Sequence, residues 1–250
     1  MNDADLYSRF RKSLTQTSDQ PMGLVAAEAH GCTLVDAAGV EYIDLLAGIG
    51  VAATGHGDTR ILDAIRRQSK RHLHIMVYGE FIQEAQLALA ERLIGLLPDA
   101  LQTVYFTNSG AEAVEGAIKL ARKASARSRL CSFHGGFHGD TLGAVSVGGN
   151  PIYRDPFEPL LPEVAFLRFN DRASLAAIDT DTAAVIIEPI QAEAGVVLPE
   201  PGFLQHLRQR CTDKGALLIF DEVITGFGRT APCSPSNGLP RGASCPTYWF

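Results

Sequence analysis

The sequence predicts an α/β domain of three layers, in which a mostly parallel sheet lies between helices. Apolar strand-like runs alternate with amphipathic helices at least three times. Two of these runs, Ala183–Ile187 and Ala216–Phe220, lead directly into the carboxylates Glu188 and Asp221. Ligands of open α/β sheets bind beyond the carboxyl ends of the strands. The two acids therefore predict a ligand site at one edge of the sheet, although a carboxylate such as Asp221 can also simply cap a turn.

A third apolar run, Thr103–Thr107, opens into the small residues Ser109, Gly110 and Ala111, which begin a helix. Free N–H groups and the positive end of the helix dipole make such a turn an anion site. Short turns of this kind also occur without a ligand. Together with a buried carboxylate, however, a phosphate site indicates a cofactor that carries a phosphate and a basic ring nitrogen.

Composition excludes several other classes of function. The 250 residues are 46% hydrophobic and carry a formal net charge of −6, which argues against nucleic acid or an anionic membrane as the main partner. No run approaches the roughly twenty apolar residues of a membrane span, and the first residues show no targeting signal, so a cytoplasmic location is expected. The five cysteines and seven histidines lack the spacing of metal ligands. We therefore expect free thiols and no metal site.

Hydrophobic periodicity and turn residues place the remaining elements. The N-terminal part contains two short strand candidates, and Asp58 is a candidate cap for the first long helix. The segment 150–162 is proline-rich and predicts irregular structure. The predicted helices are 59–72, 83–97, 109–124, 172–178 and 203–214, and the further predicted strands are 32–36, 41–45, 129–133 and 164–169.

Four segments resemble class-III aminotransferases, which are pyridoxal-phosphate enzymes of the aspartate-aminotransferase fold (fold type I). They are FTNSGAEAVEGAIKLAR (106–122), FHGGFHGDTLGA (133–144), IIEPIQAEAGV (186–196) and LLIFDEVITGFGRT (217–230). The resemblance is to the acetylornithine, ornithine and 4-aminobutyrate aminotransferases. It runs from about Leu24 to Thr230 and stops there.

The resemblance implies a division of the chain into three parts. Residues 1–50 would be the N-terminal α+β segment of the small domain, and 51–230 an incomplete pyridoxal-phosphate-binding large domain. Residues 231–250 would be a tail foreign to the family. It also implies a homodimer for the full-length family member, with amino acid and 2-oxo acid substrates.

The resemblance also assigns roles to individual residues. Ser109, Gly110 and Ala111 would hold the cofactor phosphate. Phe137 would stack on the pyridine ring with His138 close by. Without the neighbouring motifs, Phe137 could equally be a packed side chain in a glycine loop.

The opposite face of the ring and its nitrogen would be covered by residues that follow the last strand. Val223 would pack on the ring face opposite Phe137, and Asp221 would keep the ring nitrogen protonated. Glu188 would orient the site. Glu193 would bear on specificity, because the second acid of this motif tunes access to a substrate-binding arginine in the family.

The lysine that forms the Schiff base with the cofactor in aminotransferases has no counterpart among the five lysines of this chain. None of them lies in the family's Thr-x-x-Lys context, which would come well beyond Thr230. The five are Lys12, Lys70, Lys119, Lys123 and Lys214.

The last twenty residues differ in composition from the rest of the chain. Back-translation in a frame displaced by one base after Thr230 permits strings that resemble the family's continuation. We therefore expect a frameshift that truncates an aminotransferase gene, the alternative being a natural tail rich in proline and serine.

The sequence thus leads to one main functional prediction and two alternatives. The main prediction is a pyridoxal-phosphate-dependent transaminase that moves an amino group from an amino acid or ω-amine to a 2-oxo acid. The first alternative is a non-catalytic truncated remnant that lacks the Schiff-base lysine, and we expect the chain by itself to be inactive. The second is an enzyme like glutamate-semialdehyde aminomutase, which shares the fold and cofactor.

Overall fold

The structure is a computed structural model that describes residues 3–76, 79–230 and 248–249. The chain forms two compact units divided after Phe81, and each has its own sheet. The domain boundary expected after residue 50 stays a prediction. The expectation for residues 231–250 lies outside the described residues, apart from Tyr248 and Trp249.

The first unit contains a small antiparallel sheet in the order β1-β2-β3. As predicted, Asp58 caps the long helix of this unit, because its carboxylate accepts the N–H of Arg60. The elements are α1 (Asp3–Ser13), β1 (Ala26–His30), β2 (Thr33–Asp36), β3 (Glu41–Ile43), the single turn α2 (Ala47–Gly50) and α3 (Thr59–Arg71).

The second unit is a parallel five-stranded sheet in the order β5-β4-β6-β7-β8. Helices and strands alternate along it, which confirms the predicted α/β class. Among the described residues, no helix is long and apolar enough to cross a membrane. The elements are α4 (Glu84–Ile94), α5 (Gly110–Ser125), β4 (Arg129–Phe133), α6 (Leu142–Val147), α7 (Pro151–Arg154), β5 (Val164–Leu167), β6 (Thr182–Ile187), α8 (Phe203–Lys214), β7 (Leu217–Phe220) and β8 (Tyr248–Trp249), with 3-10 turns at Asp155–Phe157 and Ser174–Ala177.

Two apolar clusters pack the helices of the second unit against its sheet. One cluster includes Phe203 and Leu207 of α8, and the other includes Ala117 and Ile118 of α5. All six residues of β6 are buried. This is the pattern of a central parallel strand covered on both faces, which explains why its sequence is a continuous apolar run.

The amino ends of the central strands are joined by one side chain. Nη1 of Arg127 donates to the carbonyls of Thr182 at 3.0 Å, Lys214 at 3.1 Å and Gly215 at 3.0 Å. The last two carbonyls lie at the C-terminus of α8, where a cation is favourable and Gly215 adopts a left-handed φ of 64°. Arg127 thereby fixes the start of β6 and the approach to β7.

Several predicted elements differ from the structure. The predicted strand Thr103–Thr107 is wrong: these residues form no strand, because no neighbouring strand in the described chain pairs with them. The predicted helix 172–178 is only the 3-10 turn named above. The segment 150–162 contains α7, whose N-cap is Asn150. Helices α1 and α6 and strand β1 were not predicted at all.

Candidate active site

The two acids that predict the site, Glu188 and Asp221, follow neighbouring strands that end at the same level of the sheet. Ile187 of β6 lies opposite Phe220 of β7, and the N–H of Asp221 donates to the carbonyl of Ile187 at 2.8 Å. Glu188 directly follows Ile187, and Asp221 directly follows Phe220. Their placement at one edge of the parallel sheet agrees with the position at which ligands of such sheets bind.

Asp221 is almost completely buried, and both of its carboxylate oxygens have partners. Oδ2 lies 2.8 Å from Nδ1 of His138, and Oδ1 accepts the N–H of Val223 at 3.1 Å. The two side chains are only 5% and 1% exposed. An ionised carboxylate can only accept, so Nδ1 of His138 carries the proton in this pair.

The start of α5 has a hydrogen-bonding pattern close to a capping box, shifted by one residue on one side. Oγ of Ser109 accepts the N–H of Glu112 at 3.1 Å, and Oε2 of Glu112 accepts the N–H of Asn108 at 2.7 Å. Within the described chain, the N–H groups of Gly110 and Ala111 have no acceptor. They are therefore available to an anion.

Two glycines bring the start of α5 against the rest of the site. A Cβ atom on Gly110 would fall 2.8 Å from Cγ2 of Val223, and one on Gly139 would fall 2.6 Å from Cβ of Ala111. Such distances are shorter than real Cβ contacts, so only glycine permits these approaches. The predicted phosphate turn, the glycine loop after β4 and the residues after β7 are consequently in mutual contact.

Glu188 joins the loop after β4 to the loop after β6. Its Oε2 accepts the N–H of Phe137 at 2.9 Å, and its Oε1 accepts the N–H of Ala192 at 3.2 Å. Burial raises the pKa of the Glu188 carboxyl above its ordinary value, while His138 and the N–H of Phe137 act in the opposite direction. A buried carboxyl with a raised pKa is typical of functional sites.

Phe137 and Val223, the predicted ring contacts, are both partly accessible. Phe137 is half-buried, with its ring centroid 6.0 Å from that of Tyr153 in an edge-to-face arrangement. Val223 is 45% exposed. Both side chains therefore offer apolar surface to a ligand.

Glu193 does not join the other predicted residues. It is exposed in a loop that is closed by paired hydrogen bonds between Gln191 and Val197. The buried side chain of Gln191 donates to the carbonyl of His134 at 3.0 Å and ties this loop to the glycine loop. Gln191 was not predicted, because a glutamine in a loop gives no signal of its own.

Each lysine of the second unit lies on a helix, at a position far from the strand end that carries Asp221. Lys119 and Lys123 are exposed on α5, and Lys119 is nine residues beyond the helix start, about 14 Å along its axis. Lys214 ends α8, before the strand whose far end carries Asp221. Lys12 and Lys70 belong to the first unit.

The pairing of His138 with Asp221 joins residues 83 positions apart, so no local spacing could have predicted it. The sequence predicted only that both residues belong to the site. No group of three or more potential metal ligands occurs among the described residues.

Known proteins resemble this chain over most of its length. The family described as aminotransferase class-III matches residues 14–233. Acetylornithine aminotransferase of Methanopyrus kandleri is 46% identical over 227 residues, which cover 90% of this chain and 54% of that protein. A [LysW]-aminoadipate semialdehyde/glutamate semialdehyde transaminase of Sulfurisphaera tokodaii is 42% identical, covering 83% of this chain and 52% of that protein. The chain thus spans about half the length of these relatives.

Solved structures agree with the sequence comparison. Ornithine aminotransferase from Toxoplasma gondii ME49 has a TM-score of 0.86 and 28% identity, covering 95% of this chain and 57% of that one. An adenosylmethionine-8-amino-7-oxononanoate aminotransferase from Methanocaldococcus jannaschii has the same TM-score and identity, covering 92% and 57%. With the family match extending over most of the chain, the protein belongs to the class-III aminotransferases.

Proposed function

We propose that this chain supplies the pyridoxal-phosphate-binding part of a transaminase that moves an amino group from an amino acid or ω-amine to a 2-oxo acid. The observation that carries the proposal is the contact between two parts of the site. Val223, next but one to the buried Asp221, lies against Gly110 at the start of α5. This contact supports a single ligand that would meet both the carboxylate and the helix start.

The residues present fit pyridoxal phosphate. The free N–H groups of Gly110 and Ala111 match its phosphate, together with the hydroxyl of Ser109. The buried carboxylate of Asp221 matches a basic ring nitrogen. The accessible side chains of Phe137 and Val223 match the apolar faces of a ring. These assignments are proposals for each residue.

The chemistry divides between the cofactor and the chain. Pyridoxal phosphate, when bound, withdraws electrons from the substrate Cα through its protonated ring. Asp221 holds the proton on the ring nitrogen, since a buried carboxylate favours the charged form of the group that it touches. His138 keeps Asp221 oriented through the 2.8 Å hydrogen bond. Glu193, exposed after β6, would act on substrate selection.

We further propose that the chain by itself does not catalyse transamination, because it lacks the lysine that must take up and return the substrate proton. The positions of Lys119, Lys123 and Lys214 support this, since none lies at the carboxyl ends of the strands.

Cofactor binding is tested by titrating the chain with pyridoxal phosphate and following protein fluorescence. We expect saturable binding that Asp221→Asn weakens at least tenfold, while the matched variant Asp213→Asn, an exposed residue on α8, binds like the parent. Equal affinity of the parent and the Asp221 variant would remove the basis of the proposal.

Borohydride treatment of the complex, followed by peptide mass spectrometry, should yield no pyridoxyl adduct at any of the five lysines. A stoichiometric adduct at one lysine would contradict the proposed inactivity.

We propose a homodimer for the whole protein and a cytoplasmic location. Large apolar side chains of the second unit are more than half exposed, which supports a further subunit contact. Cys32, Cys131 and Cys211 are free thiols, which is usual in a reducing compartment. Light scattering coupled to size exclusion would test the dimer. The exposed side chains are Tyr105, Leu142, Ile152, Val196, Leu198 and Phe227.

A further inference from the structure

The carboxylate of Glu188 bonds to the backbone of two loops around the site. It accepts from Phe137 in the loop after β4 and from Ala192 in the loop after β6. Phe137 is the proposed ring contact, and Ala192 immediately precedes Glu193, the proposed substrate residue. The two functions of the site are thus joined through a single side chain.

Because Glu188 is buried, water cannot easily replace these two hydrogen bonds. Glu188 is only 6% exposed, so neither N–H could turn to water if the carboxylate were lost without the loops moving. Gly136 lies beside the carboxylate: a Cβ there would be 3.7 Å from Oε2 of Glu188 and 3.1 Å from Nε2 of His138. The carboxylate is therefore enclosed by the same loop that carries Phe137 and His138.

We propose that Glu188 is a positioning residue that couples the placement of Phe137 to that of the loop carrying Glu193. An acceptor with two oxygens can serve both N–H groups at once, whereas a neutral side chain of the same size offers one. Loss of one oxygen should therefore free one loop, and loss of both should free the two together. The inference rests on the proposed function only for the roles of Phe137 as a ring contact and Glu193 in substrate selection. The coupling itself is a property of the chain without cofactor.

The coupling can be tested without cofactor by hydrogen–deuterium exchange of the full chain, with peptides that cover residues 134–141 and 189–197. In Glu188→Ala, amide exchange should accelerate in both segments by about ten- to a hundredfold, as loss of a hydrogen bond to a charged group allows. In Glu188→Gln, exchange should accelerate in the same two segments only. The acceleration summed over both segments should be smaller than in Glu188→Ala. The matched control is Glu193→Gln, the same change at an exposed position of the same loop, which should leave both segments unchanged.

Two results would overturn the proposal. One is exchange in Glu188→Gln that equals that of the parent in both segments. The other is acceleration spread evenly over β4, β6, β7 and α8, which would mean that Glu188 contributes only to global stability. If Glu188→Ala does not fold, Glu188→Gln decides by the same criteria.

A second measurement separates this proposal from the function. Pyridoxal phosphate affinity should fall in Glu188→Gln, and a parent chain that does not bind the cofactor would refute the proposed function. The exchange result would still decide the coupling.

Discussion

Nδ1 of His138 donates to Oδ2 of Asp221 at 2.8 Å, and both side chains are almost completely buried. A buried carboxylate that loses its hydrogen-bond donor is left with an unpaired charge. His138→Ala should therefore destabilise the second unit by about 2–4 kcal/mol. Urea unfolding monitored by circular dichroism measures this loss. His206→Ala, at an exposed position of α8, is the control and should change stability by less than about 0.5 kcal/mol; equal effects of the two substitutions would refute the role of the pair.

Two glycines of α5 should respond differently to substitution by alanine. Gly116 is inside the helix and its added Cβ would lie 3.9 Å from Cε1 of Tyr105, an ordinary contact. Gly116→Ala should stabilise the chain by about 0.5–1 kcal/mol. Gly110→Ala should not stabilise it, because the added Cβ would fall 2.8 Å from Val223. Thermal unfolding of the two variants measures the difference, and a gain at Gly110 equal to that at Gly116 would show that Val223 does not lie against the helix start.

Ser109→Ala removes the hydroxyl that caps α5. The expected loss is about 1 kcal/mol, the usual effect of an N-cap replacement, and pyridoxal phosphate should bind more weakly. Ser128→Ala, at an exposed position before β4, serves as the control for cofactor affinity. Unchanged affinity in Ser109→Ala would remove the hydroxyl from the proposed phosphate site.

The raised pKa of Glu188 predicts a specific pH dependence of stability. Because burial raises the pKa in the folded chain, the folded state holds this proton at pH values where the unfolded state has released it. The parent should therefore lose stability relative to Glu188→Gln as the pH rises above the ordinary glutamate range, and the difference should level off above the raised pKa. Urea unfolding of both proteins at a series of pH values measures it.

Cysteine reactivity tests the core of the second unit. Burial raises the pKa of the Cys211 thiol to about 12 and also raises that of Cys131. Since the thiolate is the reactive form, both should be protected from iodoacetamide at pH 8 in the folded chain. The exposed Cys32 should be alkylated first. Peptide mass spectrometry resolves the sites, and labelling of Cys211 at the rate of Cys32 would mean that the core is open.

The sequence predicted much of the second unit because its strands β5, β6 and β7 are largely apolar runs and its helices α5 and α8 bury one apolar face. Strand β4 and helix α8 have the predicted bounds. Helix α6 was missed because it is short and its residues, LGAVSV, are nearly all apolar, so they show no amphipathic period. Strand β1, AAEAH, has no β-branched residue. The strand expected at Thr103–Thr107 required a partner strand, which a local pattern cannot supply.

The sequence indicated where two acids of the candidate site lie but not how the residues of the site connect. Runs that end in acids indicate the edge of a parallel sheet, so Glu188 and Asp221 could be placed before the structure was known. The bonds of Glu188 to Phe137 and of His138 to Asp221 join loops that are distant in sequence. Only the strand order brings these loops together.

The pairing of β6 with β7 also decides which of two adjacent acids lies beside His138. Asp221 and Glu222 are both buried and follow β7 directly. A shift of β7 by one residue would therefore exchange their roles and place the longer glutamate where the aspartate now meets His138. Arg127, at the opposite end of these strands, holds the carbonyls that such a shift would displace. A substitution at Arg127, remote from any ligand, should thus alter the identity of the acid in the site rather than simply weaken the fold.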